Sequence, residues 1–165
     1  DMWPPTNYLV AIGLNRYGYY DTAIELANKM QELVEKYDGH AYERYNGVAG
    51  NSLGVKDYCW GVVTWSIAVN TIYGIQEDYR TIVIPPNAKG RRLKLGKLEV
   101  YYPTDTSVEL KTAFQREFKV VFPAQEQNIM VQCDGKTVAC KSTAPEASEI
   151  TFTAMPAKTY LVSKD

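Results

Sequence analysis

The fold of this chain is decided by residues 57–74, which have the sequence DYCWGVVTWSIAVNTIYG. Apolar side chains occupy nearly every side of a helix built from this segment, so we predict a third helix over about 57–73 that is buried on several sides. After Gly74 the pattern changes to short apolar runs separated by turn residues, which is typical of antiparallel strands. The chain therefore divides near residue 75 into a helical part and a strand-rich part.

Two further helices are predicted before this segment. The first follows Pro4-Pro5 and ends at Gly18. The second opens with Thr22-Ala-Ile-Glu25, which fits a capping box, and ends at Asp38-Gly39. Its apolar residues recur at helical spacing: Ala23, Leu26, Ala27, Met30, Leu33, Val34 and Tyr37. Two helices are too few to bury the third, and the first apolar helical pattern begins within a few residues of the start, so we expect a larger protein of which this chain is one part.

The charge balance excludes several classes of partner. Among 165 residues, 18 Lys and Arg stand against 19 Asp and Glu, which leaves a net charge of −1. Such a balance gives no electrostatic footprint for a nucleic acid or an anionic membrane. No apolar run reaches the roughly 18 residues that a membrane span needs. The 13 Tyr and 3 Trp residues suit a surface that binds sugars.

The residue types present favour carboxylate chemistry. His40 is the single histidine, and the sequence has no metal-ligand spacing of Cys or His and no glycine-rich phosphate loop. We therefore predict no metal and no cofactor. Hydrolysis of a glycosidic bond needs two carboxyl groups. We predict that residues 40–56 form a long loop rich in Gly, Asn and Tyr, and a loop of this length inside a compact domain is usually functional. Glu43 is the best candidate because it lies in this loop.

Three ordered motifs resemble those of (α/α)6-barrel glycoside hydrolases of the glucosidase I and trehalase type. They are Met2-Trp-Pro-Pro-Thr-Asn-Tyr-Leu9, Tyr42-Glu-Arg-Tyr-Asn46 and Leu53-Gly-Val-Lys-Asp-Tyr-Cys-Trp60. Glycoside hydrolase family 63 is the nearest resemblance, and family 37 trehalases are more distant. Glu35-Lys-Tyr-Asp38 resembles a trehalase signature and competes with Glu43, but Glu35 falls on the tail of a regular helix.

The resemblance implies an inverting hydrolase, of the α-glucosidase or trehalase type, in which Glu43 is the general base. Trp3 and Trp60 would form walls of the sugar pocket, while Asn7 and Tyr45 would bind sugar hydroxyl groups. The general acid of such enzymes is an Asp from an earlier part of the barrel. We therefore expect the chain to be inactive without a preceding barrel segment, covalently joined or present as a second chain.

The resemblance also implies a multi-part α+β fold. Residues 1–75 would be the last helices of an (α/α)6 toroid, and residues 76–165 an antiparallel β-sandwich accessory domain. The alternative is a carbohydrate-binding or structural β-sandwich module without catalysis, in which Tyr101 and Tyr102 stack on sugar rings. A lyase or isomerase on the same toroid is a third possibility. By analogy with polysaccharide degraders, an extracytoplasmic location is favoured.

Overall fold

The chain folds into two compact units, Asp1–Ile72 and Tyr73–Asp165. A computed structural model describes residues 1–76, 79–85, 88–122, 128–142 and 149–164. None of the helices in these ranges combines the length and the apolar character needed to cross a membrane.

The first unit combines helices with one β-hairpin. Its elements in chain order are α1 (Pro4–Arg16), α2 (Tyr20–Glu35), β1 (Tyr42–Tyr45), β2 (Ser52–Lys56), a 3-10 turn (Cys59–Val62), α3 (Val63–Ile67) and a π turn (Ala68–Ile72). Helix α1 packs on α2 and α3, and α2 packs on the π turn. The inner side of α2 is fully buried at Ala23, Ala27, Met30 and Val34, as its periodicity predicts.

The predicted third helix is wrong as a regular α-helix. Residues 59–72 form a 3-10 turn, one short α-helical segment and a π turn. Gly61 and a run rich in β-branched residues have low helix propensity, which accounts for the irregular winding. One side of this segment is buried, at Thr64, Ile67, Ala68, Thr71 and Ile72. The other side carries exposed Trp60, Val62 and Trp65, so burial on several sides is also wrong.

The predicted fold class, the last helices of an (α/α)6 toroid followed by a sandwich, is wrong. β-Strands are the predominant regular element of the described residues, and the α-helices there are short, the longest being α2 with 16 residues. Part of the supposed helical half is itself a sheet, since β1 and β2 pair within it. The prediction of a strand-rich second part agrees with the structure.

The second unit is built from two sheets. Its strands are β3 (Thr81–Val83), β4 (Arg92–Leu95), β5 (Leu98–Thr104), β6 (Ser107–Thr112), β7 (Arg116–Val121), β8 (Ile129–Cys133), β9 (Lys136–Thr137), β10 (Lys141–Ser142), β11 (Glu149–Ala154) and β12 (Thr159–Lys164). The four-stranded sheet has the order β10-β11-β7-β3, and the six-stranded sheet has the order β4-β5-β6-β12-β8-β9. Among the described strands, β3 and β7 pair in parallel and the other pairs are antiparallel.

Aromatic side chains join the two sheets. Phe118 and Phe152 lie side by side on the four-stranded sheet, with ring centroids 6.2 Å apart. Phe152 also contacts Tyr160 of the six-stranded sheet at 5.2 Å. All three are at most 3% exposed. Burial of side chains this large is a principal source of the unit's stability.

Candidate functional site

Glu43 lies at an irregularity in the β1–β2 hairpin. The register pairs Tyr42 with Lys56 and Arg44 with Leu53, so two residues of β2, Gly54 and Val55, stand opposite the single Glu43. This arrangement is a β-bulge, a feature that redirects a side chain away from the regular pleat. The Oε2 atom of Glu43 accepts a hydrogen bond from the Val55 N–H at 3.2 Å. The bulge therefore both orients the carboxylate and supplies one of its hydrogen-bond donors.

Gly54 makes room for that carboxylate. Its φ is +73°, a left-handed conformation that L-residues with a side chain rarely adopt. A Cβ atom at this position would overlap Oε2 of Glu43 and lie 2.9 Å from the Glu43 Cβ. The position of the Glu43 side chain therefore depends on a glycine at residue 54.

The N-terminal residues are tied to the end of β1. The Met2 N–H donates to the Tyr45 carbonyl at 2.7 Å, and the Tyr45 N–H donates to the Met2 carbonyl at 2.9 Å. The next residue, Trp3, has 41% of its surface exposed. The Asn7 Nδ2 atom donates to the Trp3 carbonyl at 2.8 Å, which leaves the Asn7 side-chain carbonyl outside this contact. Trp3 is thus a partly exposed aromatic residue on a segment fixed to β1.

The 3-10 turn that carries Trp60 packs against the start of β1. A Cβ atom on Gly61 would lie 2.9 Å from the Tyr42 carbonyl oxygen and 3.1 Å from the Ala41 Cβ, so the two segments are in close contact. The Asp57 N–H donates to the Ala41 carbonyl at 2.7 Å and fixes the chain before this turn. Trp60 is 60% exposed. Strand β1, with Glu43, therefore has segments bearing exposed tryptophans packed at both of its ends.

Three tyrosine side chains, those of Tyr37, Tyr42 and Tyr45, pack against one another at the hairpin. The Tyr37 ring centroid lies 5.1 Å from that of Tyr42 and 6.2 Å from that of Tyr45. The Tyr37 hydroxyl accepts the Ser52 N–H at 2.8 Å. Hydrogen bonding with Ser52, through its side chain and its backbone N–H, lowers the pKa of Tyr37. The Tyr45 side chain is fully buried, its hydroxyl accepts the Tyr42 N–H at 3.0 Å, and burial raises the pKa of Tyr45. The cluster joins the hairpin to the end of α2.

Replacing Tyr45 by phenylalanine is expected to destabilise the protein by about 1 kcal/mol, because the Tyr42 N–H loses its acceptor in a partly buried setting. Urea denaturation of wild type and variant measures this difference. Tyr17, which is 78% exposed, provides the matched control, since Tyr17→Phe should leave the unfolding midpoint unchanged. A Tyr45→Phe variant as stable as wild type would contradict the assigned hydrogen bond.

The predicted site residues fall into two groups, those that are accessible at the surface and those that are buried. Trp3 and Trp60 are exposed on segments that contact β1, and Glu43 is a half-buried residue of β1 itself. Tyr45 is internal, so direct sugar contact by its side chain does not fit this arrangement, whereas a positioning role does. Glu35, the competing carboxylate, lies exposed at the end of α2 and accepts a hydrogen bond from Gln31 at 2.7 Å.

Sequence reasoning missed two polar pairs beside the hairpin. His40 Nδ1 lies 3.0 Å from Oδ1 of Asp57, just before the turn that bears Trp60. Arg44 Nη1 lies 2.7 Å from Oδ2 of Asp1, and the Arg44 Nε is buried without a hydrogen-bond partner. No local sequence pattern predicts these pairs, because His40 and Asp57 are 17 residues apart and Asp1 and Arg44 are 43 residues apart. Across the described ranges, no group of three or more His, Cys, Asp or Glu is placed to hold a metal ion.

Residues 1–61 match a protein family described as the mannosylglycerate hydrolase MGH1-like glycoside hydrolase domain. This region contains α1, α2 and the whole β1–β2 hairpin, including Glu43. The match supports a glycosidase-related function in a coarse sense. No curated protein matches the chain.

Two solved structures share a distant likeness with the chain. One is a GH127 β-L-arabinofuranosidase from Geobacillus stearothermophilus T6, with 14% identity, a TM-score of 0.35 and coverage of 65% of this chain and 19% of that one. The other is a second GH127 β-arabinofuranosidase, with 14% identity, a TM-score of 0.30 and coverage of 76% and 23%. The chain therefore spans about a fifth of the length of these structures.

Proposed function

We propose that the first unit supplies the general base and part of the sugar site of an inverting glycoside hydrolase. Glu43 is the base: its carboxylate removes a proton from the water that attacks the anomeric carbon. The single observation that carries this proposal is the Glu43 side chain held over the β-bulge by the Val55 N–H, a position that only a glycine at residue 54 permits. The glycoside hydrolase match of residues 1–61 supports it.

A hydrogen bond from a backbone N–H suits a general base. It orients one carboxylate oxygen without neutralising the group, and it leaves Oε1 to receive the proton of the water. An ion pair with a cationic side chain would instead make the Glu43 carboxylate less basic, and the reaction needs that basicity. A bulge beside a reactive side chain is a recurrent feature of active sites.

Trp3 and Trp60 are proposed to line the sugar pocket. Both are partly exposed on segments fixed to β1, and an aromatic ring offers an apolar face to the C–H groups of a sugar. Asn7 holds the Trp3 backbone through its amide N–H and presents its carbonyl to a hydroxyl group. Tyr45 acts from the interior by fixing the Tyr42 end of β1.

Replacing Trp60 by alanine is expected to raise KM by about fivefold, the effect of losing about 1 kcal/mol of aromatic contact. Since Trp60 is 60% exposed, the melting temperature should hardly change. Trp65→Ala is the matched control, because Trp65 is 45% exposed but follows the 3-10 turn on α3. Steady-state kinetics of both variants checks this; equal effects of the two would contradict a specific role for Trp60.

The general acid is proposed to lie outside the carboxylates beside Glu43. Asp1 is ion-paired with Arg44, and Asp57 contacts His40, so both neighbouring carboxylates are already engaged. Inversion needs an acid about 6.5–9.5 Å from the base, with the water between them. We assign it to another segment, covalently joined or on a second chain, and call the assembly with that segment the complete enzyme. The chain by itself is then inactive.

The test is turnover by the complete enzyme with Glu43 replaced by glutamine. The substrates are α-glucosides and trehalose, together with mannosylglycerate, the compound in the name of the matched family. A loss of about 10²–10⁴-fold is expected for removal of a general base. An extracytoplasmic location stays part of the proposal, and it is tested by fractionating the source cells.

A further inference from the structure

The outer side of the six-stranded sheet contains a cavity of about 520 Å³. It is lined by β4, β5, β6 and the first residue of β12. Leu98, Val100 and Tyr102 of β5 are buried on the inner side. Because side chains alternate along a strand, Glu99 and Tyr101 project to the outer side and into the cavity wall.

The strand register arranges the polar wall residues in two rows. One row runs from Arg92 through Tyr101 to Glu109. The other row is formed by Lys94, Glu99, Lys111 and Thr159. Residues directly opposite on adjacent strands have Cβ atoms about 5 Å apart, so each row is a continuous strip of interacting side chains. The polar wall of the cavity therefore consists of two cross-strand rows of side chains.

A single aromatic ring lies at the centre of the first row. The Arg92 guanidinium carbon is 3.7 Å from the centroid of the Tyr101 ring, which is close stacking. This contact holds the ring in place, since a guanidinium plane covers part of its surface. Tyr101 is half-buried, while Tyr102, the other tyrosine predicted to stack on sugars, is fully buried and donates its hydroxyl to the Tyr73 carbonyl. Only Tyr101 of the two is placed to meet a ligand.

The polar lining offers donors and acceptors side by side. Arg92, Lys94 and Lys111 donate hydrogen bonds, and Glu99 and Glu109 accept them. The Lys94 Nζ atom lies 3.4 Å from Oε1 of Glu99, so these two opposite charges offset each other, and three cations against two carboxylates leave the lining with a net charge of only +1. A phosphate or a polyanion would meet two carboxylates, whereas a sugar hydroxyl both donates and accepts and can bridge such a pair. The mixture matches a neutral polyhydroxylated ligand.

We propose that this cavity is a binding site for a neutral oligosaccharide, with one sugar ring against Tyr101 and its hydroxyl groups bridging the charged pairs of the two rows. The site is lined by residues of the second unit, whereas Glu43 belongs to the first unit. The proposal does not depend on the proposed hydrolase function. Binding here would hold a glycan without cleaving it.

Calorimetric titration of the intact chain with short neutral oligosaccharides of glucose, mannose, xylose and arabinose tests this proposal. The Glu43→Gln background removes the proposed general base of the other site, and Trp60→Ala in the same background removes one of its two aromatic walls. Saturable binding should survive both changes. Tyr101→Ala should weaken the Kd by about tenfold or more, and Glu109→Gln should weaken it as well. Tyr101→Phe, which retains the ring, should bind nearly as wild type and shows that the fold is intact.

Tyr17→Ala is the matched control, because Tyr17 is an exposed tyrosine of the first unit. The Kd of this variant for the oligosaccharide should equal that of wild type. Absence of binding to every neutral oligosaccharide would overturn the proposal. So would binding that Tyr101→Ala and Glu109→Gln leave unchanged, or binding lost with Trp60→Ala. Binding confined to acidic polysaccharides and abolished by salt would assign the cavity to a different ligand class and also overturn it.

Discussion

Replacing Glu43 by glutamine is expected to lower kcat of the complete enzyme by about 10²–10⁴-fold, with a much smaller change in KM. Glutamine keeps the size of the side chain and can still accept the Val55 N–H through its carbonyl oxygen, so the hairpin should remain folded. The amide cannot take a proton from water. The loss should therefore appear in the chemical step, which steady-state kinetics measures. A thermal melt of the same sample checks that the protein is still folded.

Glu35→Gln provides the control for this prediction. Glu35 is the other carboxylate that resembles a catalytic signature, and it lies exposed on α2. Its replacement should leave kcat unchanged. If Glu43→Gln retains turnover within about tenfold of wild type, or if Glu35→Gln produces the larger loss, Glu43 is not the general base.

Replacing Gly54 by alanine is expected to lower kcat/KM by about 10²-fold, because displacement of a catalytic group by about 1 Å has effects of this size. The new methyl group would occupy the space of the Glu43 carboxylate. The left-handed backbone at this residue also adds about 1 kcal/mol of strain. The result to look for is a large fall in activity with only a modest fall in melting temperature.

Gly47 is the matched control in the same hairpin. Its φ lies outside the left-handed range, and a Cβ atom there would meet no atom within 4 Å. Gly47→Ala should therefore leave both activity and stability near wild type. A Gly54→Ala variant with full activity would show that the position of the Glu43 carboxylate does not matter for turnover.

Local sequence predicted the elements whose geometry is set by near neighbours. The apolar face of α2, including Ala27 and Met30, was predicted correctly because helical periodicity depends only on residues three and four apart. Asp134-Gly135 between apolar flanks is a local hairpin signal of the same kind, and both residues have the positive φ of a two-residue hairpin. The predicted capping box at Thr22 was wrong, because α2 already begins at Tyr20.

The site could be predicted only in part. The segment 40–56 was interpreted as a loop, whereas it forms β1 and β2 around a turn in which the Asn46 Oδ1 accepts the N–H groups of Val48 and Ala49. Pairing of β1 with Met2, more than 40 residues away in sequence, has no local signal. The parallel pairing of β3 with β7 is likewise long-range. Gly54 is in the quoted motif, but its function is visible only beside Glu43.

The stereochemistry of the first product tests most directly whether Glu43 acts as the base of an inverting reaction. Proton NMR spectra of the complete enzyme with a glycoside that it hydrolyses, recorded before mutarotation, identify the anomer that is released. A product of opposite configuration to the substrate, absent when Glu43 is glutamine, is the predicted result. A product that retains the configuration would require a covalent intermediate and would contradict the assignment of Glu43 as a general base.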